Sequence, residues 1–419
     1  MASSHFHSRP CFEDHSHKPS GCTNPPFNAL AVNAQHGAVG AAAQMLSASM
    51  LLLLLPTLAQ SNQDAAAVQS RGMTKLKIDA AAHAPSGRIS GAMATLPKGR
   101  VAYVGGAWHG KAAGEGSHAL AQASNGFRHP TNGPSVPLST CVIYDAASDS
   151  WSTLPDMSKP RESPGSCAIG ETLYVFGGTI AFATPGSSTS TYTASVEALD
   201  LSSPAPRWVS APPLPSKRTS PSVTALADGS GCIIAGGFDA SSTASFGYLK
   251  EALLFNGSHY TKLPDLRYGR SNMGIAAAHP GVYVIGGGAT DPSYYNASIL
   301  RRRVDGSFYD HWEELVPLHE ARSWSMIAAL RTPDDDQVLV AAGGMSLIPF
   351  FDPMASVEVY DIIDGDWQLF DEGEPGSLST PTGFGSGAAI NSTHMLAGGG
   401  VGSGTTGDEM YIISVAKHA

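Results

Sequence analysis

The chain has 419 residues, 42% of them hydrophobic and 14% charged, which is too apolar for a disordered polypeptide and too polar for a protein of many membrane spans. A formal net charge of -10 disfavours nucleic acid as a partner, because neutralising phosphates calls for the opposite sign. The 46 glycines and 29 prolines predict many turns and few long helices.

Residues 1–44 are rich in Ala, Ser, Asn and His without apolar periodicity and read as a disordered leader. The apolar segment 45–59, with Leu51 to Leu55 at its centre and the small residues Thr57 and Ala59 at its end, is shorter than the roughly 20 residues of a membrane helix. It fits the core of a signal peptide, so residues 1–59 predict secretory entry and a soluble mature chain that begins near Gln60, is secreted or held in the secretory lumen, and has no stable membrane span. A translation start at Met45 and an uncut signal anchor fit the same segment. Residues 60–73 read as a linker, leaving 74–419 for the folded part. Asn256, Asn296 and Asn391 each open a glycosylation sequon. Of five cysteines, Cys11 and Cys22 fall in the leader; Cys167 and Cys232 sit in apolar strand contexts and read as inert core thiols.

Beyond the linker, apolar runs end in paired glycines at Gly105-Gly106, Gly177-Gly178, Gly236-Gly237, Gly286-Gly287, Gly343-Gly344 and Gly398-Gly399, spaced roughly 50–70 residues apart. A second register runs through the same units: Trp151, Trp208, Tyr260 and Trp312 each stand ten positions before Arg161, Arg218, Arg270 and Arg322. Between them come short runs that end in an aromatic residue or Leu and an acid or amide, such as Ile143-Tyr144-Asp145 and Val359-Tyr360-Asp361. Each unit therefore predicts four short strands separated by turns.

The paired glycines, Val357-Glu358-Val359-Tyr360-Asp361 and Trp151-Ser152-Thr153-Leu154-Pro155 resemble the kelch repeat, and the resemblance covers about residues 74–419. It implies an all-β, six-bladed propeller with four-stranded blades. Blade stacking agrees physically, since one four-stranded sheet cannot bury both of its faces alone. The sixth unit ends at Met410-Tyr411-Ile412-Ile413 without a Trp strand, while Leu76-Lys77-Ile78 lies ten positions before Arg88 without a unit of its own. The N-terminal strand is thus predicted to complete the C-terminal blade, Leu76 to Ile78 pairing near Tyr411 to Ile413.

Candidate site residues follow from the same register. Arg88, Arg161, Arg218, Arg270 and Arg322 recur just before each first strand, so symmetry puts them in a ring. They read either as struts paired with carboxylates such as Glu197, Glu251, Glu358 and Glu409 of a neighbouring unit, or as ligand contacts. Two positions on stand Ser90, Ser163, Ser220, Asn272 and Trp324, where peptide-binding kelch propellers make contacts at the channel mouth. The loops after the paired glycines add Trp108, His109, Phe238, Tyr295 and Phe350 as an aromatic platform for peptide or sugar. The spacing of His109, His118 and His129 matches no chelate pattern, so no metal is predicted, and no cofactor or catalytic motif is present. The predicted function is a non-catalytic propeller that binds a protein, a peptide or a carbohydrate at the channel mouth. The enzyme alternative, implied by the resemblance to six-bladed sialic-acid mutarotases, is a secreted sugar-acid epimerase using the arginines with His319 or Glu162 for proton transfer.

Overall fold

The computed structural model describes residues 75–108, 136–182, 190–242, 244–289, 296–346, 352–402 and 407–416. Their regular structure is strand throughout, apart from one short 3-10 turn at Ala244–Gly247. Six four-stranded antiparallel sheets form the blades of a propeller. Blade 1 holds Ala92–Leu96, Arg100–Val104, Cys141–Asp145 and Ser150–Leu154; blade 2 holds Gly165–Ile169, Thr172–Phe176, Val196–Asp200 and Trp208–Ala211. Blade 3 comprises Ser222–Ala225, Cys232–Ala235, Ala252–Phe255 and Tyr260–Leu263, and blade 4 comprises Gly274–Ala278, Gly281–Ile285, Ala297–Arg301 and Glu313–Glu314. Blade 5 contains Met326–Arg331, Gln337–Ala342, Val357–Asp361 and Asp366–Phe370. Blade 6 contains Ser386–Ala389, His394–Gly398 and Met410–Ala416, with Lys75–Ala80 as its outermost strand. The six first strands contact one another in turn around the axis.

Strand alternation explains why the second strands are apolar at every position. In blade 3, Cys232 and Ile234 pack toward blade 2 while Ile233 and Ala235 pack toward blade 4. Among the described residues the core is accordingly six hydrophobic clusters, each built from two adjacent blades, with a small seventh one of Ile89, Ala107, Met345 and Phe384. The ring closes as the sequence predicts: Lys75–Ala80 runs antiparallel to Met410–Ala416, with Ile78 opposite Ile413 and Ala80 opposite Tyr411. Leu76 and Ile78 pack onto the cluster between blades 5 and 6.

The Trp and Leu-Pro elements form one staple. The indole N–H of Trp208 donates to the Pro155 carbonyl at 2.7 Å, that of Trp312 to Pro264 at 2.9 Å and that of Trp367 to Val316 at 2.9 Å, while the Tyr260 hydroxyl donates to Pro212 at 2.8 Å. Each ring thus reaches the carbonyl just past the outer strand of the blade before it. Gly105 shows why the paired glycines are required. Its φ is +59°, and a Cβ there would stand 2.5 Å from the Arg161 carbonyl oxygen. In blade 6 the motif is shifted by one residue from the sequence reading. Gly398 ends the strand, and Gly399 and Gly400 make the bonds that Gly105 and Gly106 make elsewhere, Gly400 N–H to the Arg88 carbonyl at 2.9 Å.

The thiol reading of two cysteines is corrected. Cys167, in the innermost strand of blade 2, and Cys232, in the second strand of blade 3, are joined by a disulfide with their Cα atoms 6.3 Å apart. They are 65 residues apart in sequence, and only the stacking of blades brings them face to face. Cys141 remains a free thiol, and burial pushes its pKa up to about 12.

Candidate functional site

Each first strand starts, and each second strand ends, on the same face of the ring, so the segments before the first strands converge there around the channel. The five aligned arginines belong to this register, yet their side chains turn away from the channel and are fully buried. The Arg161 guanidinium donates to the Gly177 and Ser195 carbonyls at 2.6 and 2.9 Å and pairs with Glu197 at 2.9 Å, all within blade 2. Its main chain meanwhile bonds blade 1, N–H to the Leu138 carbonyl and C=O from the Gly106 N–H. Arg218 repeats this between blades 2 and 3 with Glu251, and Arg322 between blades 4 and 5 with Glu358 at 2.9 Å. Arg270 caps the Asn296 carbonyl and the Ser298 hydroxyl, with no carboxylate in contact among the described residues. Arg88 caps Gly105 and Thr140 and lies over the Tyr103 ring, 5.0 Å from its centroid.

These arginines bridge neighbouring blades: the guanidinium groups of Arg161, Arg218, Arg270 and Arg322, expected from sequence at a ligand, are buried and hydrogen-bonded within the blades. The carboxylates Glu197, Glu251 and Glu358 belong to the same unit as the arginine they meet, the blade that the guanidinium enters, and not, as expected from sequence, to a neighbouring unit. Burial lowers the pKa of Arg88, Arg161 and Arg270, and in Arg161 the Glu197 carboxylate works against that shift. Burial raises the Glu197 carboxyl, but hydrogen bonds from Ser158 and Arg161 outweigh it and the net shift is downward.

The residues two positions on do meet at the axis. Ser90, Ser163, Ser220, Asn272 and Trp324 all take left-handed backbone, φ between +48° and +54°, and Phe384 at +57° supplies a sixth member that the sequence register missed. Left-handed backbone is uncommon outside glycine and asparagine and costs of order 1 kcal/mol per residue. Here it turns five of the six N–H groups toward the preceding blade of the ring. Ser90 donates to Phe384 at 2.9 Å, Ser163 to Ser90 at 2.8 Å, Ser220 to Ser163 at 2.8 Å, Asn272 to Ser220 at 3.5 Å and Trp324 to Asn272 at 2.9 Å. The result is a main-chain collar linking all six blades. Below it the channel holds a cavity of 120 Å³ lined by seven serines, Asn272, Trp324 and small or apolar residues. A second cavity of 380 Å³, lined mainly by alanines and other apolar side chains, lies further along the first strands.

Short two-stranded ribbons cover the collar face, among them Thr179–Ala181 with Thr191–Tyr192 and Arg322–Ser323 with Met345–Ser346. Phe238 is half-buried and sits in an aromatic row, its centroid 6.0 Å from Tyr192 and 5.3 Å from Tyr248. Beside it Phe246 is 83% exposed. Neither Tyr192 nor Phe246 carried a repeat signal, since both lie in loops of unequal length. Trp108 pairs its main chain with Val136, while His109, Tyr295 and Phe350 lie outside the described residues.

Glu162 accepts the Ser163 hydroxyl at 2.7 Å, and Asp239 accepts the Ser241 amide and hydroxyl. Burial raises the Tyr192 hydroxyl pKa, and the nearby Glu162 and Asp239 charges add to it. His319 sets its Nδ1 3.1 Å from Glu358, inside the strut network. Among the described residues no group of His, Cys, Asp and Glu could hold a metal ion. Asn256 and Asn391 occupy exposed turns in which the side-chain oxygen accepts from the sequon Ser or Thr, whereas the sequon hydroxyl of Asn296, on Ser298, is buried against Arg270.

A family model for the kelch motif matches residues 160–215, the whole of blade 2 with its arginine. Blade 2 of this six-bladed propeller thus carries the kelch motif. The solved structure of YjhT superposes with a TM-score of 0.56 at 15% identity, over 78% of this chain and 94% of that one. At that identity the likeness shows the fold of the kelch propeller and nothing finer. No curated protein matches the sequence. No helix among the described residues is long and apolar enough to cross a membrane.

Proposed function

We propose that this kelch propeller is a non-catalytic binding module whose ligand, a protein segment, a peptide or a carbohydrate, sits on the collar face of the channel. The observation that carries the reading is the collar itself. Six strained residues, five of them neither glycine nor asparagine, are held in one orientation by hydrogen bonds between blades, which makes a rigid, pre-organised rim for recognition. The aromatic row and Phe246 stand on loops beside that rim, where recognition residues are carried by a stiff scaffold.

The sugar-acid epimerase alternative asks for a cation near the substrate carboxylate. Among the described residues no charged side chain lines the collar cavity, and the guanidinium groups are spent within the blades. It would be recognised by accelerated exchange between the anomers of N-acetylneuraminic acid in a proton NMR time course.

The Cys167–Cys232 disulfide supports secretory entry of the mature chain, because such bonds persist in oxidising compartments. Asn256 and Asn391 are the sequons whose exposed turns suit a glycan. The binding reading is tested by screening the purified mature chain on glycan and peptide arrays. Each captured ligand is then titrated against Trp324→Ala and against Ile363→Ser on the outer rim. Loss with the first and retention with the second is expected. The opposite pattern refutes a collar site.

A further inference from the structure

The collar cavity has a chemistry of its own. Seven serines and Asn272 line it, and no charged side chain does so among the described residues. Ser90, Ser166 and Ser325 are 4%, 3% and 9% exposed, and their hydroxyls have no hydrogen-bond partner there. Buried hydroxyls are normally paired, so three unpaired ones around a single cavity mark a place where a partner is supplied by what enters it. A hydroxyl both donates and accepts, and another hydroxyl matches it in either role.

The aromatic row is linked through the main chain to the neighbours of two other serines of the cavity, Ser163 and Ser220. Phe238 bonds its main chain to Thr219, next to Ser220 of the collar, and Thr179, which pairs with Tyr192, bonds Glu162, next to Ser163. Phe246, two residues before Tyr248 of the row, is exposed, so the row and its loop bring aromatic rings onto segments one residue from the serines of the cavity.

We infer that the collar takes an uncharged, hydroxyl-rich carbohydrate, one ring laid on the Tyr192–Phe238–Phe246 side and a hydroxyl-bearing edge directed into the cavity lined by Ser90, Ser166 and Ser325. This rests on the collar-binding reading above and adds the ligand's chemical class. A carboxylate or phosphate entering the cavity would lose hydration without meeting a cation, and Glu162 and Asp239 nearby would repel it. An extended peptide recognised by strand addition needs free main-chain donors and acceptors. Five of the six collar amides are already committed to collar carbonyls. The cavity's 120 Å³ is room for several waters, which the hydroxyls of a polyol replace with little change in hydrogen bonding.

The test uses the full mature chain and calorimetric or saturation-transfer NMR titration with cellotriose, xylotriose and diacetylchitobiose as neutral probes. Trigalacturonate and N-acetylneuraminic acid are the anionic probes and glucosamine the cationic one. At least one neutral probe is expected to bind and the charged ones to bind more weakly. Ser166→Ala and Ser325→Ala should each weaken the neutral probe about five-fold or more, yet leave the melting temperature of the free protein unchanged or higher, since each removes an unpaired buried hydroxyl. Phe246→Ala, at a fully exposed position, should weaken it without touching the fold. Preference for a charged probe, affinity indifferent to both serine changes, or no neutral probe bound up to about 10 mM would each overturn the inference. A peptide ligand that is lost in Trp324→Ala but indifferent to the serine changes overturns the carbohydrate class while keeping the collar site. A ligand indifferent to Trp324→Ala removes both.

Discussion

Replacing Arg322 by Leu tests the strut directly. The guanidinium donates to the Gly343 and Ser356 carbonyls at 2.9 and 3.2 Å and to Glu358 from both Nε and Nη2. Glu358 is fully buried. Without the arginine its carboxylate keeps only the His319 and Glu320 amides and the His319 ring, and the two carbonyls lose a donor. Removing one member of a buried pair costs about 3–5 kcal/mol, much of it the charge left behind. Arg270→Leu leaves carbonyls and a serine hydroxyl without a donor but strands no contacting carboxylate, so its cost should be smaller, roughly 1–3 kcal/mol. Urea unfolding followed by tryptophan fluorescence gives the ordering, read from midpoints at unchanged slope. Glu358→Gln added to Arg322→Leu should recover part of the loss, the signature of a coupled pair. Stability within about 0.5 kcal/mol of the parent together with abolished ligand binding would refute the strut and restore the arginine to the ligand site.

Deleting residues 75–80 should leave the Met410–Ala416 edge unpaired and uncover the contacts of Leu76 and Ile78, producing oligomers that light scattering detects; a monomer of parental stability would contradict the closure. Cys167→Ser with Cys232→Ser should cost roughly 2–5 kcal/mol in the oxidised protein, and non-reducing peptide mapping should recover the linked pair from the parent. Native Cys141 should resist iodoacetamide at pH 8 and react once the chain is unfolded, because burial keeps it protonated. Asp228 has its folded pKa lowered to about 2 by the Ser230 hydroxyl and amide, against partial burial and aided by Arg302, while an unfolded aspartate titrates near 3.9. Its contribution is therefore present above about pH 4 and lost as pH falls through about 2, so Asp228→Asn should flatten that part of the acid limb of the urea midpoint, and an unaltered limb would refute it.

The architecture was legible because it is written in spacing. Paired glycines, aromatic-to-arginine intervals and a stray Leu76-Lys77-Ile78 each mark a strand end or start, and a ring of identical modules converts such positions into topology with little freedom left. Direction is what spacing leaves open. An arginine before a first strand recurs with the same period whether its head points at the axis or back into its own blade. The signal that decides it was present at the third strands: Glu197 and Glu358 hold the same position in blades 2 and 5, and in blade 3 Glu251 stands two positions earlier, just before its strand. The disulfide had no local signal, because Cys167 and Cys232 meet only after blades 2 and 3 have stacked. Tyr192 and Phe246 stayed unseen for a different reason: they lie on loops whose lengths differ from blade to blade, so no register reaches them.

Blade 6 separates the two roles that the other blades combine. Thr382 stands where they carry arginine and keeps the same main-chain bonds, its N–H to the Met354 carbonyl and its C=O from the Gly344 N–H, with no guanidinium to cap the blade. Phe384, two positions on, still takes φ +57° and still accepts the Ser90 N–H into the collar. Collar geometry therefore comes from the main-chain bonds between blades, and the guanidinium adds stability without setting shape. That independence is the reason Arg322→Leu is expected to lose stability while the collar formed by Trp324, Asn272 and their neighbours continues to hold its ligand.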